Sequence, residues 1–263
     1  MSTNSSIEWT ETTWNPVTGC TEASTGCANC YARGMSKRLA AMARADEAKG
    51  KNPGKKAAYK LSVLGDGRWS GVVTPVPSVL SEPLSWKKPR RVFVNSMSDL
   101  FWGTDADLKV ARQRGVKDPR PVPFEFIAAV YGVMQACPQH DFQLLTKRPE
   151  RAAEFHRWLT NANVKPLGDR WAIEASCCCM MARAHGVTHT NVSAAKGDWP
   201  PRNCWLGTSV EDQKTAGERI PHLLNCPAAV RWLSMEPLLG AVDPTQCYRV
   251  SRAGGSSFNA LTG

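Results

Sequence analysis

The sequence has no run of about 18 apolar residues, so no membrane-crossing helix is expected. The first residues, Met-Ser-Thr-Asn-Ser-Ser, have neither the basic nor the apolar region of a signal peptide, and the expected compartment is the cytoplasm. No G-x-G-x-x-G follows a strand-like segment, which argues against a dinucleotide-binding fold. No long Lys/Arg tract stands alone, although the net charge is +10 and the pI about 9.2. That balance favours anionic partners, nucleic acid first. The five lysines between Lys49 and Lys60, spread around Pro53 and Gly54, read as a solvated loop before they read as a nucleic-acid contact.

Cysteine, by contrast, is plentiful. Ten cysteines in a cytoplasmic chain of 263 residues argue for metal chemistry and reduced thiols, not for a disulfide framework. Three of them, Cys20, Cys27 and Cys30, stand at the spacing C-x6-C-x2-C, with Gly19 and Gly26 flanking the longer gap. Such a segment can curl until its thiolates face one point. Three thiolates are one short of the usual four around an iron–sulfur cluster or a structural zinc. An incomplete set leaves a position open for something to be worked on. A structural metal completed by a distant ligand, or three buried thiols, fits the spacing as well.

The order of segments sets the fold. Residues 1–6 are polar and loose. Trp14 to Thr18 reads as a short strand entering the cysteine loop. Met35, Leu39 and Met42 then recur at i, i+4 and i+7 and mark a helix by its apolar face. Gly71–Pro75 reads as a short strand, Ser78–Trp86 as a helix and Arg90–Asn95 as a buried strand. A helix from Pro123 carries Ile127, Val130, Tyr131 and Met134. Asp141–Thr146 is the next strand, followed by a helix that Pro149 opens. Trp205–Ser209 is a strand, Glu211–Leu224 a helix that Pro221 kinks or restarts, and Ala229–Met235 the last clear strand. Residues 49–70, 103–121 and 161–202 read as excursions. Strand, loop and helix alternate about six times, which predicts an α/β fold with a parallel sheet, a partial or nearly closed β/α barrel over residues 1–244. Residues 245–263 read as a weakly structured tail.

Polar residues gather just after the strands: the cysteine loop, Asn95/Ser98/Asp99, Lys147/Arg148, Ser209/Glu211 and Glu236. In parallel β/α folds ligands bind at that edge. Lys147 and Arg148, at a helix start, suit a carboxylate or phosphate, or form a solvated surface pair. Asp99 and Glu211 suit ribose hydroxyls, and Glu211 equally suits the first turn of its helix. Glu236, before Pro237, is a rim acid or a turn residue. Asn95, Ser98 and Ser209 are polar contacts for the same cavity. Cys177, Cys178 and Cys179 with His185 and His189 lack the paired C-x2-C spacing of zinc sites and read as an inserted segment with incidental cysteines.

A cysteine triplet after the first strand of a β/α barrel resembles the arrangement of radical S-adenosylmethionine enzymes. More closely, the chain resembles a phage- and prophage-associated family of three-cysteine proteins. The segments that carry this are Ile7–Cys20, Gly26–Ala32, Val92–Phe101, Leu145–Arg151, Leu206–Gln213 and Leu233–Gly240. The resemblance implies a [4Fe–4S] cluster held by Cys20, Cys27 and Cys30, with S-adenosylmethionine on its fourth iron. It also implies reductive cleavage to a 5′-deoxyadenosyl radical, fed by an electron donor such as flavodoxin or ferredoxin. Met235 stands where the family usually has a cysteine. The weak tail stands where the family usually continues with a further strand, so the chain reads as a truncated or divergent member. The expected function is a radical enzyme acting on a nucleotide, a nucleic-acid base or a peptide, in the host cytoplasm if phage-encoded. The alternatives are a metal-stabilised nucleic-acid-binding module without catalysis and an inactive relative.

Overall fold

In the computed structural model, which describes residues 5, 7–160, 181–188 and 199–246 and the backbone of 161, 247, 249–251 and 257–259, five strands form one parallel sheet. They are β1 (Thr12–Trp14), β4 (Arg91–Val94), β5 (Asp141–Thr146), β6 (Cys204–Ser209) and β7 (Val230–Ser234), in that spatial order. Two short strands between β1 and β4 in the chain, β2 (Val17–Thr18) and β3 (Thr74–Pro75), pair antiparallel beside the sheet. The Gly71–Pro75 strand therefore exists but lies outside the parallel sheet. Arg249–Ser251 (β8) and Ser257–Asn259 (β9) form a separate antiparallel pair. Among the described residues no pairing joins β1 to β7.

The sheet runs in chain order, so each crossover advances by one strand. Right-handed crossovers then put the connecting segments on one face. Register assigns that face: Trp14, Val94, Leu144 and Leu206 align, and all are buried in the main core. Each such side chain contributes about 2 kcal/mol through burial. Helices α3 (Phe124–Gln135) and α4 (Pro149–Asn161) supply the other side of this core. Phe126 through Met134 are all buried, so α3 is enclosed on every side, as its high apolar content requires. Its C-terminal end and the turn that follows are met by Asn203, whose amide nitrogen lies 2.9–3.0 Å from the carbonyl oxygens of Met134, Cys137 and His140.

The opposite face carries Thr13, Phe93, Gln143, Leu145, Trp205 and Trp232. Thr13, Leu145, Trp205 and Trp232 are only partly buried, although β5 and β6 are interior strands. Trp9, just ahead of the edge strand β1, lies across this face, with ring centroids 4.6 Å from Phe93 and 5.2 Å from Trp232 on the far edge.

Several expectations need correction. Helix α1 (Tyr31–Ala48) forms, but it buries Ala32, Ser36, Ala40 and Ala43, while Met35 and Met42 are 42% and 44% exposed. Small residues let α1 approach Tyr59 and Trp69 closely, and a stripe of methionines would hold it away. Residues 49–70 are not merely solvated: Tyr59 and Trp69 are buried against α1, and Lys55, Lys56 and Lys60 pair with Glu82, Asp46 and Glu47. Ser78–Trp86 is two short 3-10 turns, because Pro83 cannot donate the bond a continuous helix needs. Residues 103–121 contain α2 (Asp105–Gln113), opened by a capping box of Thr104 and Asp107. Helix α5 (Gln213–Leu224) is capped by Asp212, so Glu211 stands ahead of its first turn, and it contains Pro221.

Asn203→Ala removes the donor shared by the Met134 carbonyl at the end of α3 and the Cys137 and His140 carbonyls of the following turn. The expected loss is about 1–3 kcal/mol of unfolding free energy, read from urea denaturation. A variant as stable as the parent would show that water serves those carbonyls equally well.

Candidate metal and cofactor site

The cysteine loop leaves β2 through Gly19, whose φ of +87° and close approach to Val72 (2.1 Å from an added Cβ to the carbonyl oxygen) admit only glycine. Gly19 also bridges to Ser98, beyond β4. Thr21 is buried. It hydrogen-bonds Asp107, accepts from the Trp102 indole at 2.9 Å, and its carbonyl and hydroxyl oxygens accept from Arg148 at 3.0 and 3.1 Å. Glu22 pairs with Arg114 at 2.6 Å. Ser24 donates to Glu211 at 2.9 Å, and a Cβ at Gly26 would sit 2.6 Å from the Glu211 side chain. A 3-10 turn, Thr25–Cys27, follows, and Cys30 is the N-cap residue of α1. All three cysteines thus sit on a loop fastened at five places.

Cys27 is buried, whereas Cys20 and Cys30 are partly exposed. Burial pushes the Cys20 thiol up to about 12, against the pull of the Arg148 charge, and burial also raises Cys30. Among the described residues no three His, Cys, Asp or Glu side chains gather closely enough to hold a single metal ion.

Beneath the loop lies an ionic network that involves two of the predicted rim residues, Asp99 and Arg148. Arg148 is 2% exposed. Its guanidinium donates to Asp99 at 3.0 Å and to both oxygens of Asp107 at 2.5 and 2.6 Å. Asp99 accepts further bonds from the Thr146 hydroxyl (2.7 Å) and the backbone N–H groups of Phe101 and Lys147 (both 3.0 Å). Burial alone would raise the Asp107 carboxyl, but the Arg148 charge together with hydrogen bonds from Arg148, Thr21 and the Gly103 backbone outweighs it and holds the group at about 2, below its ordinary 3.8. Glu211 is wholly buried between Lys147 and Arg219, the latter at 2.8 Å. Burial opposes its ionisation, yet the Lys147 hydrogen bond and the Arg219 charge lower its pKa. A cleft of about 260 Å³ opens behind the loop, walled by Glu22, Asp107, Lys147, Arg148, Glu150 and His222.

The remaining predicted residues divide. Asn95, at φ 60°, donates to Ser98 at 2.5 Å and Ser98 donates to the Val17 carbonyl at 2.7 Å, so both tie β4 to β2. The Asn95 Oδ1 atom is buried and receives no hydrogen bond. Ser209 is buried at the end of β6, and its carbonyl accepts from Arg219 at 2.8 Å. Glu236 is exposed beyond β7. His185 packs edge-on against Phe126, with centroids 5.2 Å apart. Cys177, Cys178, Cys179 and His189 lie outside the described residues. Asp107, Thr21, Trp102 and Arg219 were not singled out by sequence. The Thr104-x-x-Asp107 capping pattern was the available signal for α2.

The chain matches the family described as Protein of unknown function (DUF5131) over residues 4–258, nearly its whole length, and belongs to that family. No curated protein and no solved structure matches it.

Two effects are expected of Asp107→Asn. Leaving Arg148 buried with one carboxylate fewer will cost about 3 kcal/mol of stability. Because the folded value of about 2 lies below 3.8, ionised Asp107 stabilises the protein above 3.8 and that contribution is lost as the pH falls through 2. The variant will therefore lose part of the acid limb of the stability curve, which urea melts at about pH 7 and about pH 3 would measure. An acid limb identical to that of the parent would place the acid-sensitive group elsewhere.

Proposed function

We propose that the chain is an iron–sulfur enzyme of the radical S-adenosylmethionine type that modifies a nucleotide or a nucleic-acid base. Cys20, Cys27 and Cys30 would hold a [4Fe–4S] cluster. The observation that carries this reading is the fastening of a three-thiol loop at the C-terminal edge of a parallel sheet. The donor set suits the group: soft thiolates are the ligands of iron–sulfur clusters. A cubane takes each thiolate on a different iron, so its ligands need not meet around one ion. When bound, the cluster and S-adenosylmethionine supply one-electron cleavage of the sulfonium and a 5′-deoxyadenosyl radical that takes a hydrogen atom from substrate.

The chain's own residues position and shield. Arg148, Asp99, Asp107 and Thr21 fix the base of the loop, so its thiols are held without help from solvent. Glu211 pairs with both Lys147 and Arg219 beneath Ser24 and Gly26, which leaves one positive charge in excess. Lys147, at the start of α4, is suited to a carboxylate or phosphate of the bound molecule. Asn95 presents an unpaired acceptor, and Ser209 and Glu236 stand at the same strand ends, where ribose or amino groups could be held. Trp9, reaching from the β1 edge to Trp232 on β7, supports a sheet curled into a partial barrel. An electron donor of the flavodoxin or ferredoxin kind would serve the site, and phage encoding would place it in the host cytoplasm. The net charge of +10 favours one other reading, a metal-stabilised nucleic-acid-binding module without catalysis.

The test is anaerobic reconstitution with iron and sulfide, followed by electron paramagnetic resonance of the reduced protein with and without S-adenosylmethionine. The expected result is a [4Fe–4S] signal that changes on adding S-adenosylmethionine and is absent in Cys27→Ala. Zinc alone, or no cluster under any condition, would overturn the enzyme reading and leave the binding module.

A further inference from the structure

We infer that the uncovered face of the sheet is a nucleobase-binding site, in which Gln143 and Trp232 read the edge of the base and Trp9, Phe93 and Trp205 supply ring surface. Parallel sheets are ordinarily covered on both faces. Here one face is packed by helices while the other leaves Leu145 and Trp205, on interior strands, partly exposed. That face is neither polar enough for a solvated surface nor filled enough for a core.

Its polar atoms are uncommitted. Gln143 is 6% exposed, and its side-chain carbonyl oxygen is buried with no donor. The Trp232 indole N–H is buried with no acceptor. Register aligns Gln143 with Phe93 and Trp205, and Trp232 with Gly207. Gly207 has no side chain to obstruct this: a Cβ there would lie 2.5 Å from the Trp232 ring. Trp9 touches Phe93 on one side and Trp232 on the other, so the Gln143 strand runs between the two rings it spans.

A buried acceptor without a donor and a buried donor without an acceptor each cost about 1–3 kcal/mol if left alone. A planar heterocycle with an N–H or amino group beside a ring nitrogen or carbonyl satisfies both at once. Primary amides pair with base edges in this way, and aromatic side chains stack on base faces. A bare aromatic plug closing the bottom of the sheet would need neither the amide nor the indole N–H.

The inference deepens the proposed function by naming the substrate class of the same site. Its test is read by binding, so it can stand or fall apart from the cluster. Isothermal titration calorimetry of the full chain, before and after cluster reconstitution, would use adenosine, guanosine, cytidine, thymidine and S-adenosylhomocysteine. Saturable binding of at least one nucleoside is expected. Gln143→Leu should weaken it about tenfold or more, and Trp232→Phe, which keeps a ring and removes the N–H, should weaken it severalfold. Binding of S-adenosylhomocysteine alone, still dependent on Gln143, would support the base site and assign it to the cofactor's adenine. Free nucleosides binding with or without the cluster would assign it to substrate. Should Gln143→Leu fail to fold, Gln143→Glu and Trp232→Phe carry the test. No binding by any of these ligands, or binding indifferent to both side chains, would overturn the inference.

Discussion

Arg148 is buried, charged and shared. Its guanidinium reaches Asp99 beyond β4, Asp107 on α2 and Thr21 in the cysteine loop, so a single planar fork joins the cysteine loop, the segment from β4 to α2 and the start of α4. A buried cation is tolerated only when its donors are met, and here two carboxylates and a carbonyl meet them. The consequence is positional. Thr21 is adjacent to Cys20, so the geometry of the first thiol depends on an ion network formed by residues far from it in the chain. Glu211 repeats the device under the second half of the loop, with Lys147 and Arg219 as its cations and Ser24 and Gly26 resting on it.

This arrangement separates two jobs that polar residues at the end of a parallel sheet can perform. Asp99, Arg148 and Glu211 are committed to one another and to the backbone. They set the shape of the loop and lower the local cost of its buried charges. Asn95 Oδ1, Gln143 Oε1 and the Trp232 indole N–H have no partner, and the last two belong to the face that the helices do not cover. The molecule is thus asymmetric about its sheet: one face packs Trp14, Phe142 and Leu144 to full burial, while the other leaves Thr13, Leu145, Trp205 and Trp232 partly exposed.

Close approach explains the remaining sequence details. Gly19 lets the loop pass the Val72 carbonyl, Gly26 lets it rest on Glu211, and Gly207 makes room for the Trp232 ring. The alanines and serine of α1 do the same on a larger scale, bringing that helix down onto Tyr59 and Trp69 and leaving its methionines outside.

The sequence by itself determined the order of strands and helices from β4 to β7 apart from α2, the placement of the three cysteines in a loop after the first strand, and the polar residues at the strand ends. Those properties are local: apolar runs, helical periodicity and turn residues act over a few neighbours, and a parallel α/β order follows from their alternation. The tertiary structure decided which polar residues are free and which are spent. Asp107 looked like part of a charged excursion because its partner, Arg148, is 41 residues away, and Thr21 carried no signal because the same arginine lies 127 residues on. The buried side of α1 was misjudged for the same reason, since residue type alone cannot tell how near a neighbouring element will come. Pairings across such distances depend on the packed arrangement of whole segments, where desolvation makes every unmet charge or amide costly.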